Sequence, residues 1–206
     1  MKRRGPGTCE LCGQEQEWGG MARHLSDCAP KHDAAGSHEP VVQVQFEACG
    51  APEYWLILEA RARAQLNQVD ALLRRTWLEC CGHMSAFRLG RQELSMRTPL
   101  MSLGGRGSGF QYEYDFGSTT ALAGKISGTR EGSLGRRVVR LLARNAPLPF
   151  TCSSCAAPAT IICPYCTHTG ACLFCSKHAG QHECDAEDAF LPVVNSPRVG
   201  VCGYTG

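Results

Sequence analysis

The sequence predicts an α+β protein with a central mixed or antiparallel sheet, one main helix, and small zinc-binding modules at its flanks. Short segments that alternate apolar and polar residues recur through the middle of the chain, around one stretch with helical spacing. Four C-x2-C pairs lie towards the two ends. We therefore predict four regions: residues 1–36, 40–145, 150–186, and an apolar tail at 187–206 that packs on the body.

The middle region contains five or six predicted strands. VVQVQFE and YWLILEARA are the first two, and LNQVDALLRRTWLECC follows with apolar residues at helical spacing. This helix is predicted to begin near Gln65 or Asn67 and to end at Gly82. SAFRLG, FQYEYDF, TTALAGKI and RRVVRLLAR supply the later strands, and alternation in FQYEYDF places Phe110, Tyr112, Tyr114 and Phe116 on one buried face.

The N-terminal region carries the spacing C-x2-C-x11-H-x3-C. A tight turn can offer two thiols, and a short helix can place His and Cys one turn apart on one face, which together complete a tetrahedral zinc site. The predicted ligands are Cys9, Cys12, His24 and Cys28.

The C-terminal region carries eight candidate ligands in four pairs. The gaps between pairs are short, which favours interleaving: pairs one and three share one metal, and pairs two and four share the other. The predicted sets are Cys152, Cys155, Cys172 and Cys175 for one zinc, and Cys163, Cys166, His182 and Cys184 for the other. His178 competes with His182 for its place, and His168 is a weaker candidate. The ligand spacing resembles that of B-box and MYND zinc modules, a resemblance that implies protein partners.

Each predicted zinc site is complete with four protein ligands. A catalytic zinc keeps an open position and usually has three protein ligands, and the chain has no H-E-x-x-H motif. We therefore predict three structural Zn²⁺ ions and favour a non-enzymatic protein.

Other reactive side chains have simpler interpretations. Cys80, Cys81 and His83 suggest a Cys–His nucleophile, but packing at a helix end is favoured, and a role for Cys81 or His83 in holding a metal stays open. Cys202 lies in the Gly-flanked tail. Asp115 is expected to bond local backbone N–H groups rather than to catalyse.

Charge is concentrated in the middle region. Residues 54–145 contain 14 Lys and Arg against 7 Asp and Glu. Such a basic region favours nucleic-acid contact, for which the candidates are Arg136, Arg137, Arg140 and Arg144. The alternative is a protein-interaction adaptor, which the acidic residues Asp185, Glu187 and Asp188 favour, and an enzyme ranks third. With neither a secretory signal nor an apolar run long enough to span a membrane, the expected location is the cytoplasm, where thiols stay reduced.

The segment YEYDFGSTTALAGKI, downstream of DALLRRTWLECCGHMSAFRL, resembles the plasmid Ri open-reading-frame-three family of insertion-element passenger proteins. The match covers about residues 40–145 and centres on Tyr114–Gly117. The resemblance implies a compact α+β domain found near mobile elements, with no established reaction. The family tends to follow this motif with an acidic residue, Trp and His, where this chain has Ser118, Thr119 and Thr120.

Overall fold

A computed structural model describes residues 4–184 and 189–206. The chain forms two compact units. The first contains the chain up to Arg75 and residues 84–146, and the second contains residues 76–83 and the chain from Pro147 onwards. The N-terminal region, for which a zinc site is predicted, thus belongs to the same unit as the central sheet. The acidic residues Asp185, Glu187 and Asp188 lie outside the described residues.

The first unit is built on a nine-stranded sheet in which every described pair is antiparallel, so the predicted α+β class is confirmed. The strand order is β2-β1-β9-β4-β3-β8-β7-β5-β6. The strands are β1 (Gly7–Cys9), β2 (Glu15–Gln16), β3 (Glu39–Ala48), β4 (Ala51–Arg61), β5 (Ser85–Leu89), β6 (Gln92–Leu94), β7 (Gly109–Tyr114), β8 (Thr120–Gly132) and β9 (Val139–Asn145).

Strand β4 is the most enclosed strand of this sheet. All its residues from Tyr54 to Ala60 are buried, whereas β3 alternates between buried and half-buried positions. A strand buried on both faces reads as a continuous apolar run. Trp55 and Ile57 pack with Met21 and Leu25 of helix α1 (Trp18–Cys28).

Helix α2 (Leu66–Leu73) begins with a capping box formed by Gln65 and Gln68. It continues as a π-helical turn over Arg74–Leu78. The helix therefore ends before Cys80, and the prediction that Gly82 terminates it is wrong. Gly82 instead lies in the following loop with φ of 78°, a conformation that glycine adopts without steric cost.

The FQYEYDF prediction holds for three of its four aromatic residues. Phe110, Tyr112 and Tyr114 are buried, but Phe116 is 50% exposed. The alternation fails because β7 ends at Tyr114 and Asp115 adopts φ of 63°. Asp115 Oδ1 accepts the Gly117 N–H at 3.0 Å, so the expected bond to local backbone is confirmed.

A buried ion network joins the segment after α1 to the sheet. Arg140 Nε donates to Glu59 Oε1 at 2.7 Å, and Arg130 Nη2 donates to Asp33 Oδ1 at 2.7 Å and to Glu59 Oε1 at 2.8 Å. Glu59 is fully buried. The hydrogen bond from Arg130 holds the pKa of Asp33 below its usual value.

The second unit has little regular structure. Its sheet has the order β11-β10-β12, with β10 (Ile161–Ile162), β11 (Leu173–Phe174) and β12 (Leu191–Pro192), and helix α3 spans Ser176–Ala179. Its C-terminal tail packs within the unit, where Ser196 Oγ donates to the Trp77 carbonyl at 2.6 Å. No helix in either described range is long and apolar enough to cross a membrane.

Candidate metal centres

Four groups of thiols and imidazoles occur in the described part of the chain. In each group three Cys and one His place their ligand atoms within 4.8 Å of one another. All 14 cysteines are free of disulfides. The groups are Cys9, Cys12, His24 and Cys28; Cys152, Cys155, Cys175 and His178; Cys163, Cys166, His182 and Cys184; and Cys80, Cys81, His83 and Cys202.

The N-terminal group is assembled by a turn after β1 and by helix α1. The Cys9 N–H bonds to the Gln14 carbonyl at 2.9 Å, and the Gly13 N–H bonds to the Cys9 carbonyl at 2.8 Å, so the two thiols of the C-x2-C pair come from one tight turn. His24 and Cys28 lie one turn apart on α1. The structure thus brings together all four ligands predicted for this site.

The atom spacings of this group match a tetrahedral zinc site. Bonds of about 2.3 Å to sulfur and 2.0 Å to nitrogen imply edges of about 3.8 Å between sulfurs and about 3.5 Å between sulfur and nitrogen. The distance from Cys9 Sγ to Cys28 Sγ is 3.9 Å, and that from Cys12 Sγ to His24 Nε2 is 3.4 Å.

The group that contains His182 has the composition that the sequence predicted. Cys163 Sγ and Cys166 Sγ lie 3.9 and 3.8 Å from Cys184 Sγ, and Cys166 Sγ lies 3.4 Å from His182 Nε2. His182 also packs on Phe174, with ring centroids 4.4 Å apart. This aromatic contact fixes the orientation of the imidazole.

The group that contains Cys152 differs from the prediction, because His178 takes the place assigned to Cys172. His178 Nδ1 lies 3.5 Å from both Cys152 Sγ and Cys175 Sγ. Helix α3 begins directly after Cys175 and brings His178 back to that thiol. Cys172 precedes β11, where its carbonyl accepts the Cys163 N–H at 2.8 Å.

His178 and His182 are therefore not rivals for one place, since each completes its own group. The two groups interleave along the chain: pair one joins the Cys175–His178 pair, and the Cys163–Cys166 pair joins His182 and Cys184. The C-x2-H spacing from Cys175 marks His178 as a candidate in the sequence, but spacing alone assigns it as an alternative to His182 instead of to the group that contains Cys152.

The pKa values of several of these thiols are shifted by burial and by the neighbouring groups. Burial opposes ionisation of Cys152, but backbone N–H donors and His178 outweigh it and lower the pKa of this thiol to about 6. Burial and the neighbouring Cys163 and Cys184 raise the pKa of Cys166 to about 12. Repulsion between thiolates causes part of that rise, and a divalent cation bound between them would remove it.

The four candidate nucleic-acid contacts have different environments. Arg136 and Arg137 are exposed in the loop between β8 and β9, and Arg144 is half-buried. Arg140 is 6% exposed and its guanidinium bonds to Glu59, Asp33 and the His32 carbonyl. The Arg140 guanidinium thus lies in the interior of the first unit and is not exposed for contact with nucleic acid.

A groove in the first unit was not anticipated from the sequence. It has a volume of about 710 Å³ and borders the N-terminal end of α1. Its lining includes Arg4, Trp18, Gln45, Glu47, Gln111 and Lys125. These side chains come from the N-terminal segment and from strands β3, β7 and β8, which are far apart in sequence, so no local motif marks them.

Comparisons with known proteins give little guidance. No protein-family model matches the chain, and no curated protein matches it. A crystal structure of a protein of unknown function from Methanosarcina mazei Go1 aligns with a TM-score of 0.43 at 12% identity, covering 51% of this chain and 67% of that chain. A likeness this low carries no argument about function.

Proposed function

We propose that this is a non-enzymatic zinc protein whose metal ions are structural and whose first unit binds single-stranded nucleic acid in the groove beside α1. The complete ligand groups support the structural role, because four protein ligands leave no coordination position for a substrate. The observation that carries the binding role is the groove itself, which combines cations, an aromatic ring and amide side chains.

The wall of the groove near α1 is formed by Arg4 and Trp18. The Arg4 guanidinium lies 5.0 Å from the centre of the Trp18 ring and forms an ion pair with Glu47 at 2.6 Å. Trp18 in turn packs edge-on against the buried Trp55, with centroids 4.8 Å apart. A fixed indole beside a guanidinium suits the stacking of an unpaired base.

Positive charge also comes from the part of the lining formed by β8. Lys125 is exposed on β8 and lines the groove with Gly90, which Arg91 follows directly. The Gly107 N–H bonds to the Ile126 carbonyl at 2.8 Å and brings the loop that contains Arg106 close to Lys125. Of these cations, Lys125 lines the groove itself, where it can contact a phosphate backbone that runs along the groove.

The lining of the groove also includes two amide side chains. Gln45 and Gln111 belong to neighbouring parts of the sheet and line the cavity with Ala123. Amides can both donate to and accept from base edges, so they provide contacts that do not require one particular base. Aromatic stacking, cations and amides together favour a single strand over a duplex.

The test is binding of fluorescein-labelled single-stranded DNA and RNA by anisotropy at several salt concentrations. We expect the variant Lys125→Glu/Arg91→Glu to weaken binding at least tenfold and to lower the salt slope by about one or two, because about one phosphate contact is lost per cation. The matched control is Arg136→Glu/Arg137→Glu, which makes the same charge change in the β8–β9 loop.

Two results would contradict nucleic-acid binding in this groove. Equal losses in both double variants would indicate a non-specific charge effect, and a larger loss in the Arg136→Glu/Arg137→Glu variant would move the site to that loop. Absence of binding at low salt would reject nucleic acid as the ligand altogether.

A protein-interaction role is the second candidate. It is supported by Tyr165, which is 62% exposed in the second unit, between the metal-group residues Cys163 and Cys166. An exposed aromatic side chain on a loop between two candidate metal ligands can anchor a protein partner. A Tyr165→Ala variant that loses a partner captured by the wild-type chain, with unchanged oligonucleotide binding, would favour this role.

Membership of the plasmid Ri open-reading-frame-three family, and with it a link to insertion elements, remains part of the proposal. Its support is the motif at Tyr114–Gly117 placed at the end of β7. Whether genes of related chains stand beside transposase genes tests that link.

A further inference from the structure

The fourth group joins two parts of the second unit that are far apart in sequence. Cys80, Cys81 and His83 follow the π-helical turn, and Cys202 lies in the C-terminal tail. Cys81 Sγ is 3.8 Å from Cys202 Sγ, and His83 Nε2 is 3.2 Å from Cys202 Sγ. Cys81 and Cys202 are separated by 121 residues along the chain, so no spacing motif reveals the group.

The atom spacings of this group are close to the edges of a zinc tetrahedron. Cys80 Sγ and Cys81 Sγ are 3.7 Å apart, near the edge of about 3.8 Å expected between two zinc-bound sulfurs. His83 Nε2 lies 3.0 Å from Cys81 Sγ, somewhat inside the edge of about 3.5 Å expected for sulfur and nitrogen. The composition, three Cys and one His, is the same as in the other three groups.

A buried cation beside the group provides an independent observation. Arg198 is 0% exposed, and its Nη2 lies 3.5 Å from Cys80 Sγ. Burying a guanidinium is costly unless negative charge lies close to it. Three thiolates and one Zn²⁺ would carry a net charge of −1 next to this guanidinium, which donates to a ligand sulfur as outer groups do around metal sites.

The backbone forms turns in both of the segments that supply the ligands. Cys202 adopts φ of 49°, which is uncommon for a residue other than glycine, and Gly203 follows with φ of 68°. On the other side, the Gly82 N–H bonds to Glu79 Oε1 and closes the turn that contains Cys80 and Cys81. Strained conformations of this kind persist where the surroundings require them.

We propose that Cys80, Cys81, His83 and Cys202 form a fourth Zn²⁺ site, which fastens the C-terminal tail to the segment after the π-helical turn. This site is independent of nucleic-acid binding. It accounts for three cysteines that the predicted sites left over, and it leaves Cys49 and Cys172 as the cysteines outside the four groups.

The test counts zinc in the purified full-length chain by native mass spectrometry. We expect four Zn²⁺ per wild-type chain and three in Cys202→Ser and in Cys81→Ser. Cys49→Ser and Cys172→Ser are matched controls that change one thiol outside the groups, and both should keep four. Three Zn²⁺ in the wild type, with no loss in Cys202→Ser, would overturn the proposal.

Limited trypsin digestion gives a second readout that does not depend on counting metal. The bond after Arg198 should resist cleavage in the wild type because Arg198 is buried. Cleavage there should become at least tenfold faster in Cys202→Ser, and zinc addition should not restore protection. If the tail of Cys202→Ser stays as protected as that of Cys49→Ser, the tail is held without metal and the fourth site is wrong.

Should Cys202→Ser fail to fold, Co²⁺ substitution of the wild type keeps the proposal testable. Titration of metal-free chain should give tetrahedral Co²⁺–thiolate absorption that rises until four equivalents are bound. Saturation at three equivalents would reject the site.

Discussion

The two units of this protein are stabilised in different ways. The first buries large side chains such as Trp55, Phe46 and Phe87 in a nine-stranded sheet, and adds one metal group at the sheet's edge. The second has strands of two residues each, and its small apolar cluster includes the ligands Cys152 and Cys163 themselves. Because the cluster around Cys152 and Cys163 is so small, we expect the loops of residues 150–184 to depend on metal ligation, whereas the sheet does not.

Removal of zinc should give the largest difference between the units. In excess chelator under reducing conditions, we expect the amides of the second unit to lose nearly all protection from hydrogen exchange, while those of β3, β4 and β8 keep theirs. Hydrogen exchange followed by mass spectrometry measures both in one sample. Persistent protection in residues 150–184 after complete metal loss would show that the second unit folds without metal.

Substitution of one ligand should reproduce part of that effect locally. His178→Ala should lose one Zn²⁺ and raise amide exchange around Cys152 and Cys175, because three thiols alone no longer enclose the ion. Cys172→Ser is the matched control and should keep both the metal content and the exchange pattern. The opposite outcome, metal loss in Cys172→Ser only, would restore the ligand set predicted from spacing.

Disruption of the buried ion network should affect only the first unit. Arg140→Ala leaves Glu59 buried with fewer partners, and we expect a loss of about 3–5 kcal/mol in the free energy of unfolding. Denaturation of the zinc-loaded chain, followed by Trp fluorescence, measures it. Arg137→Ala, exposed in the neighbouring loop, should change the value by less than about 0.5 kcal/mol. Similar losses in both variants would show that the buried network contributes no more to the free energy of unfolding than an exposed arginine.

The smallest effect is expected at Phe116. Its ring is 50% exposed, so Phe116→Ala should change the unfolding free energy of the first unit by about 0.5 kcal/mol or less. Phe87→Ala, at a fully buried position of the same sheet, should cost about 3–5 kcal/mol. A large cost at Phe116 would mean that this ring is buried in solution, as alternation alone predicts.

Local patterns predicted most of the sheet and two complete metal groups, the one that contains His24 and the one that contains His182. Alternation identified β3 and β7, the apolar segment YWLILEARA identified β4, and the C-x2-C spacing located the cysteine pairs of both groups. Two predictions were wrong because the backbone changes conformation where the pattern would continue. The positive φ of Asp115 turns the chain and leaves Phe116 exposed, and the π-helical turn ends the helix before Cys80. His178 was weighed for the wrong group, since spacing lists the candidate ligands but not how they are grouped in space.

The fourth group and the groove show what one-dimensional patterns miss. Cys81 and Cys202 come together only because the tail packs back within its unit. Trp18 of α1 and Lys125 of β8 line one groove although they are far apart in sequence. Both sites depend on long-range packing. The charge count, likewise, could not tell that Arg140 neutralises a buried Glu59 instead of facing solvent.

We expect the position of the N-terminal metal group to influence aggregation of the chain when zinc is scarce. Strand β1 pairs with β9 through Gly7, Thr8 and Cys9, so the segment that carries two ligands also covers one edge of the long sheet. The sheet then ends on the two-residue strand β2, and its other end is the three-residue strand β6. Short edge strands offer little backbone to another chain, whereas an uncovered β9 is a template for intermolecular pairing. We therefore expect that metal bound at this group would keep β1 on β9 and so oppose aggregation of the chain.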